Sequence, residues 1–110
     1  MINKRRLFTL PDGTQVYRVS GPAVRKQHVE FVQGGHGLVY KWIPKGEVWV
    51  ERMRSRKDEC YILFHEVAEQ QLMRYRGMKY AAAHAIANRE EQQLRRDGVD
   101  VCKRIQEVWG

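Results

Sequence analysis

The residues with the clearest chemical potential lie between Cys60 and Glu91, on two segments with helical patterning. His65 and Glu69 are four residues apart on the first segment, so both point to the same face of a helix. That face is otherwise apolar, and an imidazole and a carboxylate are costly to bury there without partners. The sequence therefore predicts that a further polar group meets these two side chains.

His84, on the second segment, is the candidate for that further group. Gly77 is the predicted turn between two helices, with Glu69 eight residues before it and His84 seven residues after it. A helix rises about 1.5 Å per residue, so in an antiparallel hairpin both side chains lie about 11 Å from the turn. The hairpin is thus expected to bring His65, Glu69 and His84 within reach of one another.

Two imidazoles and one carboxylate are a common ligand set for a catalytic zinc ion that keeps one coordination position open for water. We predict that His65, Glu69 and His84 are metal ligands, with zinc as the candidate ion. A second interpretation stays open, in which the three groups form a buried hydrogen-bonded network that joins the helices without metal.

Three more side chains are expected near this cluster. Asn88 and Glu91 share the helix face of His84 and fall near the level of His65, in the shell behind the ligands. Tyr80 lies one turn before His84 on the same face. Its hydroxyl could orient a ligand or stabilise an oxyanion, although packing is the commoner role of such a tyrosine.

The order of these residues resembles the zincin metallopeptidases, in which a helix carries His-Glu-x-x-His and a third ligand follows. Here His65-Glu66 matches the motif, Glu69 stands at the position of the second histidine, and His84 supplies a histidine from the next helix. The resemblance implies a zinc-dependent hydrolase in which Glu66 is the general base. It also implies a sheet edge that holds an extended peptide, for which the strand at residues 48–51 is the candidate.

A further resemblance is to small uncharacterised proteins of phages and prophages. In those proteins a Gly-Gly turn and a Trp-bearing strand precede His-Glu-x-x-Glu and Tyr-x-x-Ala-His. The matching pieces are Gly34-Gly35-His36, Glu47-Val48-Trp49-Val50, His65-Glu66-Val67-Ala68-Glu69 and Tyr80-Ala81-Ala82-Ala83-His84. The resemblance implies a viral or prophage origin and brings no established activity.

Strand patterns precede helix patterns, which predicts an α+β fold in a single domain, residues 1–110. The expected strands are residues 6–10, 15–19, 29–32, 38–43 and 48–51, and the expected helices run from a Ser55 cap to residue 76, from 79 to 96 and from 101 to 108. Together they form an antiparallel β-meander, a helical hairpin and a short C-terminal helix. The third and fourth strands are expected to turn at Gly34-Gly35-His36-Gly37. In that turn His36 could reach toward a site or face water, and the second is the commoner arrangement.

The charge balance supports an alternative function. The chain carries 20 Lys and Arg against 13 Asp and Glu, a formal net charge of +7, and such an excess favours nucleic acid or acidic surfaces. The candidate surface combines Arg52, Arg54, Arg56 and Lys57 with the aromatic residues Tyr40, Trp42 and Trp49. The alternative is therefore a non-enzymatic virion or host-takeover protein that binds a protein or nucleic acid there, with a purely structural His/Glu cluster. No nucleic-acid-binding motif accompanies the surface.

The lengths of the apolar segments and the number of cysteines predict the cellular compartment of the protein. No run approaches the roughly 20 apolar residues of a membrane span, and residues 1–10 lack the apolar core of a signal peptide. Cys60 and Cys102 are too few for a disulfide framework and lack Cys-x-x-Cys spacing, so we expect both to be reduced. These features predict a cytoplasmic protein, in the host cytoplasm or the virion if a phage encodes it.

Overall fold

The computed structural model describes the backbone of residues 3–109 and the side chains of residues 3–105. The strands are β1 (Lys4–Thr9), β2 (Gln15–Val19), β3 (Gly34–His36) and β4 (Glu47–Glu51). The helices are α1 (Gly21–Arg25), α2 (Arg56–Arg76), α3 (Tyr80–Asp97) and α4 (Val101–Trp109). The expected α+β class is confirmed, with a sheet followed by a helical hairpin and a short C-terminal helix.

The four strands form one sheet in the order β1-β2-β4-β3. β1 and β2 form a hairpin around the turn Pro11-Asp12-Gly13, and β4 pairs in parallel with β2 and antiparallel with β3. A parallel pair needs a crossover connection, which residues 20–46 supply. The sheet is therefore mixed, with this crossover in place of the consecutive hairpins of a meander, and β4 lies between two partners.

The expected hairpin of residues 29–32 and 38–43 is wrong, because the second of these segments forms turns instead of a strand. The backbone N–H of Tyr40 donates to the carbonyl oxygen of His36, as in a single helical turn. Phe31 is fully buried in an apolar cluster with residues of β2 and β4. Val29 and Leu38 of the same alternating set are exposed, so the pattern does not mark one packed face of a strand. Alternation over a few residues also occurs in loops, and periodicity alone does not distinguish the two.

Gly34 and Gly35 lie in β3, and the turn predicted for these residues is not formed. A Cβ atom on Gly34 would lie 2.8 Å from Cγ of Glu66, and one on Gly35 would lie 2.5 Å from the ring of Tyr40. Both distances are shorter than non-bonded carbon atoms approach. The two glycines therefore let β3 lie directly against α2 and against the loop that follows β3.

Cys60 and Cys102 form a disulfide bond between α2 and α4, so the expectation that both are reduced is wrong. The two residues are 42 positions apart, and a single pair at that separation has no recognisable spacing in the sequence. Beside the bond, the hydroxyl of Tyr61 donates to the carbonyl oxygen of Val99. These contacts fix α4 against the first half of α2.

α2 and α3 form the antiparallel hairpin that positions the predicted site. The side chain of Ser55 accepts a hydrogen bond from the backbone N–H of Asp58 and caps α2, and Gly77 ends it with a φ of 63°, a conformation that glycine adopts at low cost. Ala83 and Ala87 of α3 are fully buried, so the helix axes approach closely. No helix among the described residues is long and apolar enough to cross a membrane.

Asp12 joins the β1–β2 turn to the last turns of α2. Its carboxylate accepts hydrogen bonds from Thr14 N at 2.9 Å, Gln71 Nε2 at 3.1 Å and the Tyr75 hydroxyl at 2.7 Å. Burial alone would raise the pKa of this carboxyl group, but the hydrogen bonds outweigh burial and hold the pKa well below its usual value. The ionised form of Asp12 therefore stabilises the fold.

We expect Asp12→Asn to lower the free energy of unfolding by about 1–3 kcal/mol near neutral pH, because an ionised hydrogen-bond acceptor is lost. The folded pKa of Asp12 is depressed, so its contribution is complete above the unfolded pKa of 3.8 and is lost as the pH falls from there toward the folded pKa. Urea denaturation of both proteins across this pH range is the measurement, with the exposed Glu90→Gln as control. If the difference in the free energy of unfolding between wild type and Asp12→Asn stays the same as the pH falls below 3.8, the stabilising role of ionised Asp12 is wrong.

Candidate metal centre

The structure brings His65, Glu69 and His84 together between α2 and α3. Glu69 Oε2 lies 3.2 Å from His65 Nε2 and 2.9 Å from His84 Nδ1, and the two ring nitrogens are 3.2 Å apart. Tetrahedral ligands that lie about 2.0–2.1 Å from a zinc ion are separated from each other by about 3.3 Å. The three donor atoms therefore already have nearly the mutual spacing that one cation requires.

Glu91 of α3 determines which nitrogen of His65 faces this triangle. Glu91 Oε1 lies 3.0 Å from His65 Nδ1 in an ion pair, and Arg95 Nε lies 2.8 Å from Oε2 of the same carboxylate. The approach to Nδ1 falls outside hydrogen-bond angles, but the negative charge still favours a proton on that nitrogen. Nε2 of His65 is thereby directed at Glu69, and carboxylate–histidine pairs of this kind orient metal ligands.

His36 belongs to the cluster. Of the two arrangements open for it, the preferred one, exposure to water, is wrong, because His36 is fully buried on β3 and its Nε2 lies 2.9 Å from Glu69 Oε1. Gly34 and Gly35 precede His36 and let β3 approach α2 closely enough for the contact. In the sequence, only the Gly34-Gly35 pair indicated that the backbone before His36 could approach a helix closely, and such a pair is equally typical of a turn.

Glu66 lines a cavity of about 440 Å³ beside the cluster. One oxygen of its carboxyl group lies within 4.8 Å of donor atoms of both His36 and Glu69. Among the described side chains, no hydrogen bond or salt bridge to Glu66 is found. The rest of the wall comes mainly from β3, α2 and α3, and includes Val32, Gly34, Gly35, Tyr40, Ile62 and Asn88.

The environments of the two carboxyl groups separate their pKa values. Burial raises the pKa of Glu66 to about 8, and the negative charge of Glu69 acts in the same direction. Burial would raise the pKa of Glu69 as well, but hydrogen bonds with His36, His65 and His84 lower it to about 2. Glu69 is therefore ionised near neutral pH, whereas Glu66 exchanges a proton there.

His65 carries a proton on both nitrogens when no cation is bound. Burial alone would lower its pKa, but the contacts with Glu69 and Glu91 outweigh burial and raise the pKa to about 10. One proton then lies on Nδ1 beside Glu91, and the other lies on Nε2 and points to Glu69. A metal ion would take the place of the Nε2 proton, since a histidine ligand binds through a deprotonated nitrogen.

Tyr80 and Asn88 lie at the rim of the cavity. The Tyr80 hydroxyl is 3.4 Å from His84 Nδ1; burial, followed by the charges of Glu69 and Glu66, raises the pKa of Tyr80. Asn88 lines the cavity, but within the described part of the chain it makes no hydrogen bond to the cluster. Tyr80 can therefore contact either His84 or a molecule in the cavity. Asn88 can contact a molecule in the cavity.

The predicted partner surface has a different arrangement from the one expected. Its basic residues, Arg52, Arg54, Arg56 and Lys57, are exposed. Its aromatic residues pack on other rings: Trp42 stacks on His28 with ring centroids 3.9 Å apart and on Tyr40 at 4.9 Å, and Trp49 is only 5% exposed. An open stacking platform for bases is therefore not formed by these rings.

Comparisons with protein-family models, with curated proteins and with solved structures find no match to this chain. The resemblances to zincins and to phage proteins accordingly stay predictions. The geometry of the His/Glu cluster and its cavity is the observation from which a function can be argued.

We expect the chain to bind one Zn²⁺ at the cluster and His84→Ala to weaken binding by at least about 100-fold, because loss of a ligand exceeds the 10–100-fold effect typical of outer-shell changes. His84 suits this test because its side chain is 45% exposed, so the substitution leaves the core intact. Calorimetric titration of chelator-treated protein measures affinity and stoichiometry, with His28→Ala as the matched control. Equal affinities in wild type and His84→Ala would show that zinc binds elsewhere.

Proposed function

We propose that this protein is a zinc-dependent hydrolase of the peptidase type, with His65, Glu69 and His84 as metal ligands and Glu66 as general base. One observation carries the proposal: three donor atoms converge within 3.2 Å of one another beside a cavity that Glu66 lines. The proposed phage or prophage origin has only the motif resemblance in its support.

The donor set suits a catalytic metal ion better than a structural one. Structural zinc sites have four protein ligands, whereas catalytic sites have three and leave a position for water or substrate. His65, Glu69 and His84 provide three, and the cavity provides the space. A zinc ion bound there would supply Lewis acidity, which polarises a carbonyl group and lowers the pKa of water.

Glu66 is placed to move the proton of the reaction. In peptide hydrolysis the oxygen of water bonds to the carbonyl carbon, the carbon–nitrogen bond breaks, and a proton passes from the water to the departing amine. In the metal-free protein burial raises the pKa of this carboxyl group to about 8, and the positive charge of a bound zinc ion would lower it toward the near-neutral range that suits a general base. Glu69, with a pKa of about 2, stays ionised and suits the ligand role.

The substrate strand must differ from the one expected. Residues 48–51 belong to β4, which already pairs with β2 and β3, so this strand cannot also bind a peptide. β3 is at the edge of the sheet, and Gly34 and Gly35 line the cavity with main-chain atoms. A peptide in the cavity would pass beside Gly34, Gly35 and Glu66. The N–H of Gly34 and the carbonyl oxygen of His36 already bond within the chain, so such a peptide would lie along β3 without the full hydrogen-bond ladder of an added strand.

A metal-free structural network accounts for the contacts of Glu69 but not for Glu66. Glu66 is half-buried and lines the cavity, and within residues 3–105 its carboxyl group has no hydrogen-bond partner. Its oxygen atoms are therefore open to a molecule in the cavity, as a general base must be. The hydrolase gives Glu66 a role, whereas the structural network gives it none.

We expect wild type supplied with zinc to cleave fluorescein-labelled casein and Glu66→Gln to lower the rate by about 10²–10⁴-fold, the usual contribution of a general base. Zinc affinity should change little, because Glu66 is not among the proposed ligands. The rate of fluorescence release and calorimetric zinc titration measure the two effects, and Glu90→Gln is the control. Full activity of Glu66→Gln, or no cleavage by the zinc-loaded wild type, would count against a peptidase.

A further inference from the structure

We propose that His36 is a positioning residue, which holds Glu69 so that only Oε2 can bind the metal ion and one coordination position stays open. This inference rests on the proposed metal centre and adds a residue that lies outside its ligand set. It assigns a role to the one buried histidine that neither the motif nor the proposed reaction uses.

The hydrogen bonds of His36 fix which ring nitrogen carries its proton. The backbone N–H of Leu38 donates to His36 Nδ1 at 3.3 Å, so Nδ1 is the acceptor nitrogen of the neutral ring. The ring proton must then be on Nε2, which lies 2.9 Å from Glu69 Oε1. His36 therefore donates a hydrogen bond to that carboxylate oxygen.

This hydrogen bond leaves the two oxygens of Glu69 in different roles. Oε1 accepts from His36, while Oε2 faces His65 Nε2 and His84 Nδ1 at 3.2 Å and 2.9 Å. Carboxylates bind metal ions through one oxygen or through both. Because the hydrogen bond from His36 turns Oε1 toward β3, while Oε2 alone contacts His65 and His84, Glu69 binds through Oε2, and the position that Oε1 would otherwise fill is available to water or substrate.

The backbone around His36 holds the ring in place. Its carbonyl oxygen accepts from the backbone N–H groups of Val39 and Tyr40, and its strand pairs with β4 at Val48. The side chain is fully buried. A buried ring on a paired strand has one available orientation, so the oxygen it contacts is also fixed.

His36, Glu66 and Glu69 also have donor atoms close enough to hold a cation of their own, all within 4.8 Å. That arrangement would require His36 Nε2 to lose its proton. The proton would then have to move to Nδ1, where the N–H of Leu38 already points. Two N–H groups cannot donate to each other, so the geometry favours the positioning role over a second metal site.

Two substitutions of His36 and one of His28 separate the positioning role from general packing. His36→Ala removes the N–H, and His36→Gln keeps an amide N–H near the position of Nε2. His28→Ala alters a histidine outside the cluster, stacked on Trp42. We expect zinc affinity to fall by about 10–100-fold in His36→Ala, the usual effect of losing an outer-shell partner, and to stay within a few-fold of wild type in His36→Gln and His28→Ala.

The visible spectrum of the Co²⁺-loaded protein gives a readout that packing alone does not change. Absorption by Co²⁺ weakens as its coordination number rises, so His36→Ala should absorb less strongly than wild type, because the freed Oε1 also binds. His36→Gln should keep the wild-type intensity. On the metal-free wild type, nitrogen-15 NMR of the imidazole rings should find the His36 proton on Nε2, a test that needs no variant to fold.

The outcomes distinguish this inference from the proposed function. If wild type binds zinc and His36→Ala matches it in affinity and in Co²⁺ absorption, the positioning role is wrong and the metal centre stands. Two zinc ions per chain, or a His36 proton on Nδ1, would also overturn the positioning role alone. A wild type that binds no zinc would overturn both.

Discussion

The rest of the structure depends on the contacts that the carboxylate of Glu69 makes. It meets three imidazole rings, with His36 on Oε1 and with His65 and His84 on Oε2. A carboxylate 2% exposed would cost several kcal/mol without such partners. Each ring comes from a different element, β3, α2 or α3, so these three elements must pack together before Glu69 is satisfied. The fold and the candidate site are therefore formed by the same contacts.

Small residues on both sides of α2 make this convergence possible. On the sheet side, Gly34 and Gly35 leave no Cβ to collide with Glu66 or the loop. On the opposite side, Ala83 and Ala87 are fully buried against α2. Imidazole and carboxylate side chains are short, and they can meet only where the backbones approach closely. The positions of glycine and alanine thus determine the geometry of the cluster as directly as its polar residues do.

The parts of the structure that sequence alone could predict are those set by local periodicity. Helix geometry places Glu69 and His84 at one level, because their distances from Gly77 along the chain are nearly equal, and it places His65 one turn farther from Gly77 on the same face as Glu69. The contact of His36 depends on where β3 pairs, which no local pattern records. The same holds for the disulfide between Cys60 and Cys102 and for the parallel pairing of β2 with β4, since both join segments far apart in the chain. In the loop after α1, alternating apolar residues predicted a hairpin, but Phe31 is buried whereas Val29 and Leu38 are exposed, so the alternation arose without a packed strand face.

The most direct test of the metal centre is diffraction from crystals of the zinc-loaded protein, recorded on both sides of the zinc absorption edge. The account predicts one anomalous peak per chain, about 2.0–2.2 Å from His65 Nε2, Glu69 Oε2 and His84 Nδ1. No peak at this position, with the three imidazole rings around Glu69 arranged as described, would show that hydrogen bonds and ion pairs alone hold the cluster together and that it is not a metal centre.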